Sequence, residues 1–366
     1  MKIAWKELLR RPSRFLTAGG ALTLIVVLLL ILGGILDALT NASTGLLRAQ
    51  SAPLIAYGAT ARDSIVRSRI PVEVHEAIRE VPGVREASGL GVSLLGATVP
   101  GQSEPADVAI FGYEAANARV PAPPDPGEAY ADASLQDDGV SIGQTLEVGA
   151  AAVPVEVVGF VENTNYNLQG GLWVEADTWR EILNENIPNA AVAPGTFQAV
   201  VITPEEGISP EQLADRVDEQ VPEVKALTID EAIAALPGVS QQQSVFSAII
   251  GTTFTVAGLV VALFFALITI ERIGLLGVLK AIGASSRTLA AGLTLQAVLI
   301  AAGAIVIGGL LTLGLASVIP DAVPLTLGLG RFAFTAFGLV LTALIGSAIS
   351  FRRIIRIDPA SAVGGA

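Results

Sequence analysis

Cysteine is absent from all 366 residues, and histidine and methionine occur once each, as His75 and Met1. No disulfide framework and no thiolate metal site can form, and histidine-based chemistry has almost nothing to work with. Charge is scarce as well. Only 15% of residues are Asp, Glu, Lys or Arg, against about a quarter in soluble globular chains. With 52% hydrophobic residues and a mean hydropathy of +0.62, a single soluble globule is excluded and a membrane protein is the default reading. No G-x-x-x-x-G-K-[ST] phosphate loop occurs, so the chain does not itself hydrolyse ATP in the P-loop manner. His75 sits among glutamates in "PVEVHEAIRE" without a partnered serine motif, which reads as a solvated surface histidine and not as a catalytic base. The acidic residues are dispersed and lack the oxygen-ligand spacing of a calcium loop. The chain is therefore expected to be no enzyme, to bind no cofactor or metal of its own, and to have no nucleic-acid partner.

What is abundant is uncharged sequence, and it comes in four runs. Arg14 and Asp37 bracket 22 residues without a charge, Phe15 to Leu36, and a bilayer core of about 30 Å needs roughly 20 helical residues. Three more runs follow at Val245 to Ile270, Thr288 to Val318 and Phe332 to Phe351. The first is too long for the apolar core of a secretory signal and lacks a good cleavage site after Leu36, so it reads as an uncleaved anchor. Between Asp37 and Gln243 stand 30 acidic and 10 basic residues, while the rest of the chain has 4 acidic and 12 basic. The basic residues cluster before span one (Lys2, Lys6, Arg10, Arg11, Arg14), between spans two and three (Arg272, Lys280, Arg287) and after span four (Arg352, Arg353, Arg356). Four spans put all three clusters on one side, which the positive-inside bias makes cytoplasmic together with both termini.

The expected organisation is a membrane α-helical protein with an α+β extracytoplasmic domain between helices 1 and 2. Its parts are a cytoplasmic amphipathic segment 1–14, span 15–36, the extracytoplasmic domain and stalk 37–244, and span 245–270. A cytoplasmic helix 271–287, span 288–318, an external loop 319–331, span 332–351 and a cytoplasmic tail 352–366 follow. In the outer domain, Val74, Ile78 and Val81 mark a helix with a buried stripe, and "QTLEVGAAAVPVEVVGFV" is rich in β-branched residues and turn glycines, as short strands are. The stretch from Phe197 to Ala232 reads as strand, helix capped at Ser209 or Pro210, strand, a βαβ-like unit. "VPAPPDPGEAY", Val120 to Tyr130, reads as a loop. The span interiors carry only Ser, Thr and Gln296 as polar groups, so a water-filled pore is not expected. Gly19, Gly20, Gly33 and Gly34 in span one and Gly303, Gly308, Gly309 and Gly314 in span three form small-residue seams suited to close packing, within the chain or in a homodimer.

Arg272 to Leu289, "RIGLLGVLKAIGASSRTL", is too charged for lipid and too apolar for a solvated loop. Leu275, Leu279 and Ile282 share one helical face, and Gly274, Gly277, Ala281 and Ala284 leave small surface elsewhere. Gly283 can close this helix and Ser285 or Ser286 can cap the next. Such a helix needs a protein surface or the membrane interface to bury it.

That segment, one anchor before a large outer domain, three spans after it and the ending "RRIIRIDPASAVGG" resemble the FtsX/MacB-type family of ABC-transporter permeases. "AWKELLRRPSRF", "LTLQAVL" and the "DPASAVGG" tail resemble the DevC-like branch that includes HrtB-type haem-extruding permeases. Many members carry an acidic residue at the positions of Leu275 and Gln296, where this sequence departs from them. The resemblance implies a coupling helix at Leu275, Leu276, Leu279, Lys280, Ile282 and Gly283 that docks on a separate P-loop ATPase present in two copies, with ATP and Mg bound by that partner. It also implies a homodimer of this chain in a bacterial plasma membrane. Two activities remain open: ATP-driven extrusion of an amphipathic substrate, haem foremost, or FtsX-like transmembrane signalling to an extracytoplasmic partner without transport. For haem, with no Cys and one His, Tyr57 and Tyr166 are the candidate ligands or stacking partners, since tyrosine ligates haem iron in some proteins. Tyr166 also resembles an aromatic position of haem-efflux members. Gln241, Gln243 and Phe246 at the entry to span two are expected to contact the ring or its edges.

Overall fold

The structure is a computed structural model that describes residues 12–236, 238–271, 274, 278–279, 282–283, 285–319 and 325–355. Leu39–Gln242 make one contact unit, and the described residues of Met1–Ala38 and Gln243–Ala366 make another. In chain order the elements are α1 (Pro12–Arg48), β1 (Leu54–Gly58), α2 (Val72–Glu80), β2 (Val84–Thr98), β3 (Ala106–Tyr113), β4 (Glu128–Asp132), β5 (Thr145–Val148), β6 (Val153–Val161) and β7 (Gly170–Glu175). There follow α3 (Ala176–Asn186), β8 (Ala199–Pro204), α4 (Pro210–Gln220), β9 (Val224–Thr228), α5 (Ile229–Ala235), α6 (Val239–Glu271), α7 (Ser286–Ala316) and α8 (Leu329–Ile355).

The α+β unit is organised by β2, which is long enough to serve two sheets. Its first half pairs with β8, Ala87 opposite Ile202, and its second half pairs with β3, from Leu90 opposite Tyr113 to Ala97 opposite Ala106. Its end touches β5 at Ala97 and Val148. The first half completes a four-stranded antiparallel sheet in the order β2-β8-β1-β9, and the second closes a ring β2-β3-β7-β4-β6-β5. β1 lies between β8 and β9 and is antiparallel to both, so the expected strand-helix-strand unit is a split βαβ. With β1-α2-β2 it gives the ferredoxin-like order, into which β3 to β7 and α3 are inserted.

Alternation along the strands separates three cores, because successive side chains point to opposite faces. Leu54, Ala56, Val200 and Ile202 face Ile78 of α2 and Leu213 and Val217 of α4. Ile55, Tyr57 and Val201 belong to a second core with Phe111, Tyr113 and Trp173. Val108, Ile110, Leu146, Val155, Leu172 and Val174 form a third with Trp179, Ile182 and Leu183 of α3. Trp179 is fully buried, its indole N–H donates to Ser93 Oγ at 2.9 Å, and its ring lies where a Cβ on Gly91 or Gly112 would stand. The "PGV" turn between α2 and β2 puts Gly83 at φ +103°, a conformation that glycine adopts without strain. Ser209 caps α4 by accepting from Gln212 N, and Thr228 and Glu231 form a reciprocal capping box on α5.

Two local expectations change. His75 is not a solvated surface residue: it is 3% exposed, with Nε2 3.2 Å from the Ala87 carbonyl and its ring edge-on to Phe197. The helix lays His75 against β2 while Glu73 and Glu76 stay exposed, and the flanking glutamates concealed that. The Val120–Tyr130 loop ends earlier than expected, because Glu128 to Tyr130 pair with β6 and open β4.

Among the described residues, four helices are long and apolar enough to cross a membrane. Leu22, Val26, Ala257, Val261, Phe265, Ala297, Ala301, Ala304, Leu339 and Ala343 pack between them. A Cβ on Gly308 would stand 2.7 Å from Val26 and 3.1 Å from the Thr23 carbonyl oxygen, so this seam joins α7 to α1. Gly33, Gly34 and Gly309 likewise meet neighbouring segments, whereas a Cβ added at Gly20, Gly303 or Gly314 would meet nothing within 4 Å outside its own helix among the described residues. Helix α1, at 37 residues and 1.5 Å per residue, runs for about 55 Å, well beyond a hydrocarbon core of about 30 Å.

Candidate functional site

The membrane unit contains one ionic clasp among its described residues. Arg331, at the start of α8, donates from Nε to Asp37 Oδ2 at 2.9 Å and from Nη2 to Asp37 Oδ1. This bidentate geometry makes a strong charge-assisted contact. The guanidinium side chain is 17% exposed and the carboxylate 35%. The glycine at position 33 makes the clasp feasible, since a Cβ there would lie 2.5 Å from Arg331 Cδ. Thr326 N–H donates to the Gly34 carbonyl at 3.2 Å, fixing the approach to α8 beside α1. Next to the clasp is a pocket of about 260 Å³ lined by Leu30, Gly309, Leu313, Leu327, Arg331 and Phe332, among others. The sequence reading used Asp37 and Arg331 only to bound uncharged runs. Opposite charges at the same-side ends of spans one and four were the signal for their pairing.

Of the residues expected to couple to an ATPase, Leu275, Leu276 and Lys280 lie outside the described residues. Leu279 is half-buried, and Ile282 is 75% exposed, as is Val278 to a lesser degree. Ile282 N–H donates to the Val278 carbonyl at 3.1 Å, so the exposed pair is one helical turn apart. Gly283 takes φ +100° and Ser285 Oγ accepts from Thr288 N at 3.1 Å. A turn therefore ends at Gly283 and α7 begins capped.

The residues expected to meet a substrate divide between the two units: Tyr57, Tyr166 and Gln241 belong to Leu39–Gln242, and Gln243 and Phe246 to the other. Tyr57 on β1 is 1% exposed and Tyr166 is 6% exposed, both in the core that holds Phe111 and Trp173. Burial first, then the neighbouring Tyr166 and Asp63, pushes the Tyr57 phenol far up, and burial pushes Tyr166 up to about 12. Iron ligation favours the phenolate, which both sites disfavour. Both rings are buried in this conformation. Gln241 is exposed and Gln243 half-buried on α6. Phe246, also on α6, packs beside Leu29, Leu36 and Ile250.

Residues 247–359, which include all of α7 and α8 and most of α6, match the family described as FtsX-like permease C-terminal. The chain carries an FtsX-like permease domain. A Staphylococcus epidermidis protein named as the hemin transport system permease HrtB is 26% identical over 39% of this chain and 41% of its own length. An ABC transporter permease of Mycobacterium tuberculosis is 42% identical over 30% of this chain and 31% of its own. Another from the same organism is 26% identical over 78% of this chain and 76% of its own. The first of these relatives are thus matched over about two-fifths of their length or less. The FtsX-like region holds the exposed Val278 and Ile282, the buried Gln296 and the cation of the clasp, Arg331.

Proposed function

We propose that this chain is the permease subunit of an ATP-driven ABC efflux system that expels an amphipathic substrate, haem foremost, by a mechanical stroke. It works as a homodimer with two copies of a separate P-loop ATPase, which binds ATP and Mg, in a bacterial plasma membrane with both termini cytoplasmic. The observation that carries this reading is the FtsX-like domain, joined to relatives that include a protein named for hemin transport. Helix α1 adds physical support. It is one helix from Pro12 to Arg48, and Leu46 and Leu47 at its end are buried in the core of the α+β unit. In this reading Leu275, Leu276, Leu279, Lys280, Ile282 and Gly283 dock the ATPase, Gln241, Gln243 and Phe246 contact substrate, and Tyr57 and Tyr166 do so only if their core opens.

The test is a purified complex with its cognate ATPase, reconstituted in vesicles. Hemin should stimulate ATP hydrolysis and be moved across the bilayer. Leu279→Asp or Ile282→Asp should abolish that stimulation while insertion persists, because a charge would be desolvated in a docking groove. Nucleotide-dependent change in the outer domain with no hemin movement would select the transducer activity instead, and unchanged ATPase activity and assembly in both variants would remove the docking assignment.

A further inference from the structure

The loop between β6 and β7 crosses α1 at Ala42 to Leu46, and both pieces belong to Leu39–Gln242. In an α-helix the Leu46 N–H donates to the carbonyl four residues back, that of Ala42. Here each half of that rung is bonded to the loop: Leu46 N–H donates to the Asn165 carbonyl at 3.1 Å, and the Ala42 carbonyl accepts from Leu168 N–H at 3.1 Å. The Ser43 carbonyl accepts from Asn167 N–H at 3.4 Å, and Thr44 and Tyr166 form an isolated antiparallel bridge. This is not fraying at a helix end, because the helical pattern resumes beyond the crossing, where Ala49 N–H donates to the Gly45 carbonyl at 2.8 Å. An outside group inserted into the ladder is an identifiable weak point of a helix.

Gly45 admits the loop. A Cβ there would stand 2.6 Å from Asn165 N and 2.8 Å from the Asn163 carbonyl oxygen. Three residues of the loop take left-handed backbone, Asn163 at φ +57°, Asn167 at +51° and Leu168 at +67°. Asparagine tolerates that region, whereas leucine is disfavoured there. Leu168 is 60% exposed, so little burial of its side chain offsets the strain. Anchors hold the loop instead: Thr164 donates from N and from Oγ1 to Asp132 Oδ2, both at 2.7 Å, and the Tyr166 ring packs edge-on to Phe111. We propose that the loop Asn163–Leu168 is a two-state strap on α1, exchanging the Ala42–Leu46 rung between the loop and the helix. Engaged, as here, it holds both halves of the rung. When it withdraws, Leu46 N–H closes onto the Ala42 carbonyl and the loop groups, beside exposed Asn163, Asn167 and Leu168, turn to water. Backbone groups keep a partner in both states, so neither state strands one. The strap lies wholly in the α+β unit and does not depend on the haem reading.

The experiment is hydrogen–deuterium exchange of the full chain in nanodiscs, read on peptides covering residues 40–48 and 162–170. Gly45→Ala excludes the loop and favours helix, so loop amides should exchange about tenfold faster while those of α1 keep their protection. A loop that merely props up a helix unable to pair with itself would instead lose protection in both peptides. Leu168 is an exposed position that tests the strap without touching the crossing. Leu168→Asn, tolerant of the left-handed region, should slow loop exchange about threefold, and Leu168→Val, stiffer at Cβ, should speed it by about as much. Faster exchange of both peptides in Gly45→Ala, an unchanged loop in that variant, or loop exchange in Leu168→Asn no slower than in Leu168→Val would each overturn the proposal.

Discussion

The Asp37–Arg331 clasp makes a quantitative prediction about how span four is held to span one. An exposed ion pair contributes about 0–1 kcal/mol, and removing one partner of a buried pair costs about 3–5 kcal/mol because the other charge is stranded. Here the side chains are 17% and 35% exposed, so water still reaches the carboxylate and the cost must fall between those limits. Arg331→Gln should destabilise the α1–α8 contact by about 2 kcal/mol, and Asp37→Asn by about the same. Their combination strands no charge and should cost less than the sum, with a coupling energy of about 1–2 kcal/mol. Gly33→Ala attacks the same clasp sterically, since the new Cβ would stand 2.5 Å from Arg331 Cδ. Its cost, about 1–3 kcal/mol for overpacking, should shrink when Arg331 is first cut to Ala. The assay is hydrogen exchange of α8 amides in the full chain in nanodiscs, read as local opening free energies. A coupling energy under about 0.5 kcal/mol, or a Gly33→Ala cost independent of the residue at 331, would refute the clasp as a structural link.

Three further outcomes can be checked. Burial lowers the His75 pKa more than the Ala87 carbonyl and the nearby Glu114 and Glu76 raise it, with Arg79 acting in the same direction as burial. A base depressed in the fold binds protons more readily when unfolded, so the α2–β2 contact is fully stable above about pH 6.5 and weakens as pH falls below it; His75→Gln should flatten that slope in pH-corrected hydrogen exchange of β2. Gly91→Ala would overlap the Trp179 ring and should cost about 1–3 kcal/mol; pairing it with Trp179→Leu should cost less than the two singles added, measured by denaturant unfolding of the full chain. Cysteines introduced at Asp125 and Lys280 in the cysteine-free chain should label from opposite faces of sealed vesicles, Lys280 from the cytoplasmic one, and same-side labelling would remove the four-span topology.

The parts of the fold that were legible in sequence are those set by nearby residues. The spans are uncharged runs, and α2 and the residue that caps it show the buried Ile78 and Val81 through spacing alone. Ser209, its successor Pro210 and the apolar stripe Leu213 and Val217 announce α4. Pairing across the sheets was not legible, for a physical reason. β1 inserts between β8 and β9, strands about 150 residues further on, and β2 changes partner from β8 to β3 to β5 along a single run. Alternation says which face of a strand is buried but nothing about its neighbour. His75 failed for the opposite reason: its local sequence is polar, while a carbonyl on β2, 12 residues on, holds it inside.

The same distinction separates the two tyrosines from the clasp. A tyrosine in a sequence offers an iron ligand only if its phenol can reach solvent or substrate and lose its proton. Tyr57 and Tyr166 are instead packed among Phe111, Tyr113 and Trp173, where burial holds each phenol neutral. Their rings supply apolar area to the core, and exposing them for ligation would spend that burial as well as the proton. Asp37 and Arg331 have the reverse character. Charges are costly beside a bilayer unless they are paired, so one at each end of two uncharged runs on the same side carries an implied partner 294 residues away. Reading those boundary charges as a pair to be satisfied, and not only as markers of where spans stop, leads from the sequence to the clasp.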